Sequence, residues 1–364
     1  MEELSGQEIR RIYRKAVDED FPENLALKLG NRTFEYVKVQ WILGDKRRGL
    51  RYGTNPHQKA ALYRPSNSNT GIGNVEWVKW GKDGPSATNV EDGSHGNRIV
   101  QYFDRPAVSV MKHLNPSGVA VQHQDEDLAK VYEKARDSDP RAAFGGVVVF
   151  NKTVDKPTAE SIMTTFVEVV YAPGYSSNAL PVFDSKKDIR VGKISSTGGA
   201  NRSQPSDIVV LDDGSIILED EYQTGIRSIE KLKSLPVPTK RKPTESEYLD
   251  LLGAWWVSCE VRSNGIVLWK NGRSLAIGTG QQDRVGALEN SVEKARRFDH
   301  DLTGSSLASD GFFPKTDSID VASEAGISAI VQPGGSVEDD LVVEACDRYN
   351  ITMVLTGERS FRHF

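Results

Sequence analysis

The sequence predicts an α/β protein made of two packed halves around a largely parallel sheet. Three observations carry that expectation. At 364 residues the chain is too long for one ordinary core. Val147-Val148-Val149-Phe150 is a continuous apolar run of the kind buried on both faces of a sheet. From Ser309 to Leu355, helix-like and strand-like stretches alternate, the pattern of a parallel sheet that takes ligand at the carboxyl ends of its strands.

Composition narrows the function. A content of 38% hydrophobic and 27% charged residues is that of a soluble globular chain. The net charge of -5 argues against nucleic acid as a partner, since a phosphate backbone is met by a basic excess. Two cysteines, Cys259 and Cys346, make neither a disulfide framework nor a thiolate zinc site and fit a reducing compartment. The first residues, Met1 to Lys15, have no apolar signal core, and no run reaches membrane-spanning length, so the expectation is a cytoplasmic protein with no membrane partner.

Taken in order, residues 1–30 read as a short polar helix and an edge segment. Leu50 to Gln58 reads as a strand end entering a Gly- and Pro-punctuated loop, with Arg51 at its lip as a surface residue or an anion clamp. Residues 65–98, rich in Ser, Asn, Gly and Asp, read as a long loop. The strand from Val108 runs into Lys112-His113 and then Asn115-Pro116-Ser117-Gly118, read as a turn. Alone, that pair is equally a solvated lysine and a half-buried histidine. Glycines 145 and 146 imply a tight turn or a close approach to the backbone. Glu168, inside an apolar strand, is either a polar residue at the sheet edge or a substrate ligand. Asp212-Asp213-Gly214 marks a hairpin, and the halves divide near it, as residues 1–200 and 201–364.

The second half opens on a capping box, Thr244 with Glu247, ahead of a helix whose Trp255 and Trp256 are core. Asn271-Gly272 predicts a hairpin. The glycine-relieved run Gly278 to Arg284 enters a helix reaching Arg297, whose amino terminus is a ready anion or carbonyl site. No zinc-deaminase signature, Walker loop or Gly-x-Ser-x-Gly elbow is present, which disfavours metal-bound and acyl-serine mechanisms. The residues left to carry chemistry include Lys112, His113, Arg51, Asn264, Arg284, Arg359 and His363. A neutral imidazole beside an ammonium and a side-chain amide suits transfer of an electrophilic carbonyl onto a weak amine.

Eight segments in order resemble the motifs of AICAR transformylase, the formyltransferase half of a bifunctional enzyme whose other half is IMP cyclohydrolase. They are Arg51 to Gln58, Lys112 to Gly118, Ala143 to Gly146, Ala172 to Tyr175, Ser263-Asn264, Gly278 to Arg284, Ser309 to Pro314 and Phe361 to His363. The resemblance implies formyl transfer from 10-formyltetrahydrofolate, or a related formyl-pterin, to the 5-amino group of AICAR ribonucleotide. The product would be FAICAR, in de novo purine (IMP) biosynthesis. It implies a catalytic group of Lys112, His113 and Asn264, a nucleotide grip from Arg51, Tyr52, Gly145, Glu168, Arg359 and His363, and a folate side of Phe144, Arg284, Phe312 and Asp317. It further implies two zinc-free cytidine-deaminase-like units, no required metal, and a homodimer with sites at the interface. With no cyclohydrolase segment ahead of residue 1, the expectation is a stand-alone transformylase served by a separate IMP cyclohydrolase. Lys315 and Thr316 stand where the family usually has Phe and Arg, a departure on the donor side. Two other readings are a zinc-free deaminase-like hydrolase and a non-catalytic nucleotide-binding subunit.

Overall fold

The computed structural model describes residues 16–43, 46–81, 83–195 and 207–363. The expected polar helix before residue 16 and the boundary at 200 lie outside the described residues. Near the amino end, β1 (Asn24–Leu29), β2 (Arg32–Lys38) and β5 (Tyr63–Pro65) form a small sheet, and β3 (Trp41–Leu43) pairs with β4 (Lys46–Arg48).

Among the described residues, one sheet holds eleven strands. From the first half come β6 (Glu76–Lys79), β7 (Ala107–Lys112), β8 (Asn115–Val121), β9 (Gly146–Phe150), β10 (Val167–Ala172) and β11 (Arg190–Lys193). The expected hairpin around Asp212-Asp213-Gly214 is β12 (Asp207–Val210) with β13 (Ile216–Glu219), which among the described residues pair only with each other. From the second half come β14 (Ile266–Lys270), β15 (Arg273–Gly278), β16 (Ser306–Ser309), β17 (Ala329–Gln332) and β18 (Thr352–Leu355). The order across the sheet is β18-β17-β16-β14-β15-β8-β7-β9-β10-β11-β6.

The sheet is mixed rather than largely parallel. Its two flanks are parallel, β9-β10-β11 and β16-β17-β18, while the centre is two antiparallel hairpins set side by side through Arg273 and Ala120. The alternation read from the sequence holds for the flanks, whose strands need helical crossovers; hairpins need none and escape it.

One order of elements occurs twice. Helix Ala87–Val100, hairpin β7-β8, helix Leu128–Ser138, β9, helix Lys156–Met163, β10, helix Leu180–Phe183 and β11 make the first copy. Helix Glu245–Ser258, hairpin β14-β15, helix Arg284–Arg297, β16, helix Asp317–Glu324, β17, helix Asp339–Arg348 and β18 make the second. The leading helices of both copies share one face of the sheet, over a core that runs across both halves and contains Ile99, Val149, Trp255 and Trp269. The opposite face carries a separate core in each half, around Phe150 and Ile162 in the first and Phe313 and Ile330 in the second. Trp255 is fully buried in the shared core, as its helical spacing predicts, and its indole N–H donates to Thr224 at 3.0 Å.

Two local readings are corrected. Residues 65–98 are not one long loop: Ser86 caps the helix Ala87–Val100 through a reciprocal bond with Asn89. That helix escapes pattern reading because its inward face is polar and small, with Asn89, Asp92 and Asn97 buried. Gly96 packs where a Cβ would stand 2.8 Å from Met111 and 2.7 Å from Val149. Likewise Asn115-Pro116-Ser117-Gly118 is not the turn but the start of β8, pairing Lys112 with Asn115. The turn is His113-Leu114.

Candidate active site

The end of β7 and the turn after it set out the first group. Lys112 reaches across to β9 and donates to the Gly145 carbonyl at 2.6 Å. Gly145 has φ +69, and a Cβ there would lie 3.2 Å from the Lys112 ammonium, so the close approach implied by the paired glycines is that of a cation. His113 is exposed, with its backbone at φ 54 and that of Leu114 at φ 66. The buried Asp92 carboxylate accepts the Leu114 N–H at 2.6 Å. Burial pushes that carboxyl up to about 6, against the pull of the Leu114 N–H and the Lys112 charge.

One turn of helix earlier, Asn89 donates to Glu168 at 3.0 Å. Glu168 is not at a sheet edge, because β10 lies between β9 and β11, and a register shift between Val167 and Val169 frees it from strict alternation. Arg51 is buried, its guanidinium 4.4 Å from the Tyr52 ring and bonded to the Tyr52 hydroxyl at 2.7 Å. Its Nε is buried without a hydrogen-bond partner among the described residues. Burial and then the Arg51 charge push the neighbouring Arg190 below the ordinary arginine range, with Glu168 opposing them. Two guanidiniums, one carboxylate and a phenol thus share one corner, a net positive setting that suits an anion.

The second half contributes a loop. Asn264 bonds the Gln281 carbonyl through both its backbone N–H, at 3.1 Å, and its side-chain amide, at 2.9 Å. Asp310, fully buried, accepts from Ser263, from the Gly265 N–H at 2.9 Å and from Arg284. Arg284 is therefore a buried cation whose charge is met by Asp310, and its guanidinium lies 5.7 Å from the Phe361 ring. Arg359 stacks on the same ring at 4.3 Å, and His363 meets its edge at 5.8 Å. The helix beginning at Arg284 is not an open anion site, since the Asp283 carboxylate accepts the Gly286 N–H at 2.7 Å and supplies the negative charge itself.

Asn115 joins the two groups, its Oδ1 accepting the Arg262 N–H at 2.9 Å two residues before Asn264. Arg359 and His363 line a cleft of about 500 Å³ with His95, Arg98, Tyr222 and the hairpin residues Asp207, Ile208 and Glu219. Lys112 and His113 do not line it. Phe144 and Phe312 are exposed apolar rings, 62% and 41% accessible, and Asp317 is exposed at the start of its helix. Lys112 also donates to the Phe144 carbonyl at 3.4 Å, while neither Phe312 nor Asp317 touches Lys112 or His113 through a described hydrogen bond or ring contact. The expected site residues thus fall into a Lys112–Glu168–Arg51 group with a tie to Asn264, and a Phe361-centred group beyond it. Asn89, Asp92, Arg190, Asn115 and Asp310 were not legible as site residues. The only sequence signal for Asn89 was its position three after a Ser cap.

Among the described residues, no three His, Cys, Asp or Glu side chains gather as a metal site, and no helix is long and apolar enough to cross a membrane.

A family model of the AICARFT/IMPCHase bienzyme matches residues 11–294. The bifunctional purine biosynthesis protein PurH of Magnetococcus marinus is 38% identical over 99% of this chain and 68% of its own length. Its counterpart in Caldicellulosiruptor saccharolyticus is 39% identical over 92% of this chain and 62% of its own. That of Dictyostelium discoideum is 40% identical over 90% of this chain and 60% of its own. The chain therefore spans about two thirds of the length of the relatives it matches. The family is a bienzyme and each of these relatives is named bifunctional. This overturns the expectation of a stand-alone transformylase with a separate cyclohydrolase as downstream partner. The chain belongs to the AICARFT/IMPCHase bienzyme family.

Proposed function

We propose that this chain catalyses formyl transfer from 10-formyltetrahydrofolate, or a related formyl-pterin, to the 5-amino group of AICAR ribonucleotide, giving FAICAR on the route to IMP. The observation that carries the reading is the continuous hydrogen-bonded run from Gly145 through Lys112 and the His113 turn to Asn115, Arg262 and the Asn264 loop. That run links the segments that carry an ammonium, an exposed imidazole and a side-chain amide, which supports the reading.

In this reading the amine nitrogen attacks the formyl carbon, and His113 takes the proton that the nitrogen sheds. Lys112 and Asn264 stabilise the negative oxygen of the tetrahedral adduct. Collapse breaks the bond to N10 of the folate, which leaves with a proton. The 5′-phosphate goes to Arg51, whose buried unpartnered Nε fits an anion, with Tyr52, Gly145 and Glu168 around the nucleotide and Arg359 and His363 closing it. Phe144, Phe312, Arg284 and Asp317 face the donor.

The two halves, 1–200 and 201–364, are read as zinc-free cytidine-deaminase-like units, which the twice-repeated order of elements supports. The active form is read as a homodimer with sites at the interface. One fact supports this: the β12-β13 hairpin exposes Val210, Ile216 and Leu218 beside the Arg359 cleft.

A formyl-transfer assay with AICAR and 10-formyltetrahydrofolate tests the reading. Wild type is expected to turn over, and His113→Ala to lose about 100-fold or more in kcat. Full activity in that variant removes His113 from its role, and a wild type that ignores this donor but uses another formyl compound moves the donor assignment.

A further inference from the structure

The two copies of the fold share a device at the same place. In the second half, Asp250 lies six positions after the helix cap (244 to 250) and accepts the backbone N–H groups of Asn271 at 3.0 Å and Gly272 at 3.4 Å. In the first half, Asp92 lies six positions after its cap (86 to 92) and accepts the Leu114 N–H at 2.6 Å. Each Asp ties the leading helix of its half to the turn of the hairpin that follows. The strand pairs that frame the turns are equivalent, Lys112 with Asn115 and Lys270 with Arg273.

The turns have the same backbone and different residues. Both central positions have positive φ in each, 54 and 66 at His113 and Leu114, and 52 and 75 at Asn271 and Gly272. That shape is the favoured two-residue hairpin turn, and Asn-Gly is the pair that adopts it without strain. His-Leu is not. His and Leu there crowd the Cβ against the backbone, whereas glycine and, with its short polar side chain, asparagine enter the left-handed region readily. The first half therefore keeps a strained turn where its twin has a relaxed one, and the strained turn presents an exposed imidazole.

We propose that Asp92 is a positioning residue, whose carboxylate locks the His113-Leu114 turn in its left-handed form and thereby aims the His113 imidazole. Asp250 does the same structural work for a turn that carries no chemistry. The reach of this role into turnover rests on His113 being the base in formyl transfer; the locking of the turn does not.

The twin serves as the control. In the full-length chain, Asp92→Ala is expected to lower kcat by about 100-fold while KM for AICAR stays within about threefold, the mark of misaimed chemistry rather than lost binding. Asp92→Asn, which keeps an accepting oxygen, recovers most of the rate. Leu114→Gly placed on Asp92→Ala recovers about tenfold, because glycine holds positive φ without help. Asp250→Ala lowers the melting temperature as much as Asp92→Ala but leaves kcat within about twofold.

A second readout needs no turnover. With the six histidines carbon-13 labelled, the His113 resonance, identified by its loss in His113→Gln, shifts or broadens in Asp92→Ala and stays put in Asp250→Ala. If Asp92→Ala and Asp250→Ala lose stability alike while kcat and the His113 resonance are unchanged, Asp92 is structural only and the proposal is overturned. If wild type transfers no formyl group, the functional reading fails, and the His113 resonance still decides the positioning role.

Discussion

Asn115 holds both halves at once: its Oδ1 accepts the Arg262 N–H at 2.9 Å, and its Nδ2 donates to the His113 carbonyl at 3.2 Å. It is the first residue of β8, directly opposite Lys112, so the bond is made at the rim of the sheet where chemistry-bearing side chains emerge. Asn115→Ala is expected to reduce kcat/KM for AICAR by about tenfold or more through loss of alignment. Two hydrogen bonds lost at a half-buried site lower stability by roughly 1 to 2 kcal/mol. Asn115→Asp keeps the accepting oxygen toward Arg262 but cannot donate to His113, and should fall between wild type and Ala. Steady-state kinetics beside urea unfolding separates the two effects.

Gly145 bears on Lys112 and on the Phe166 ring, which a Cβ there would approach to 3.3 Å. A methyl group at this position would meet the ammonium at 3.2 Å and sit on a backbone with φ +69. Gly145→Ala should destabilise the fold by about 1 to 2 kcal/mol and displace Lys112 from its carbonyl anchors. Thermal melting and kcat on the same preparation check this. A variant with normal kcat would show that the Lys112 position is not critical.

What was legible in the sequence follows from where polar groups had to be buried. The helix Glu245–Ser258 was readable because Thr244, Glu247 and a run of apolar residues agree at every level, and both bonds of its capping box are present. Its twin, Ala87–Val100, was unreadable, since the face turned to the core carries Asn89 and Asp92 toward Glu168 and the His113 turn. Asn271-Gly272 announced its hairpin by turn chemistry, whereas His113-Leu114 makes the same turn with residues that normally avoid it. The Pro-Ser-Gly that follows then drew the turn assignment three residues downstream. The antiparallel centre of the sheet was hidden for a related reason, as the β8 and β15 pairing joins residues 120 and 273, too distant for any local pattern.

Lys315 and Thr316 offer a test of donor choice. Lys315 is exposed, and Thr316 precedes the helix Asp317–Glu324 without a side-chain cap bond, so both can be replaced with little structural penalty. Lys315→Phe with Thr316→Arg introduces an aromatic face and a guanidinium beside Phe312. KM for 10-formyltetrahydrofolate is expected to fall by about tenfold with the melting temperature unchanged. An unaltered KM would place the donor elsewhere.

His95 should make the fold acid-sensitive. It lines the Arg359 cleft, and burial, followed by the charges of Arg98 and Arg362, pushes its imidazole down to about 3 from an ordinary 6.5. A histidine with a depressed folded-state pKa stays neutral in the native protein while the unfolded chain takes up a proton. The native state is therefore undisturbed above pH 6.5, and stability is lost as the pH falls from there toward 3. At pH 5 the loss from this one group is roughly 2 kcal/mol. Urea midpoints at pH 7.5 and 5 should differ more for wild type than for His95→Gln, which has nothing to protonate. Glu260 and Glu221 pair with Arg98, and Glu260 also with Arg362, and these ion pairs are present in both proteins. Equal pH dependence in wild type and His95→Gln would show that His95 is not the source of the acid sensitivity.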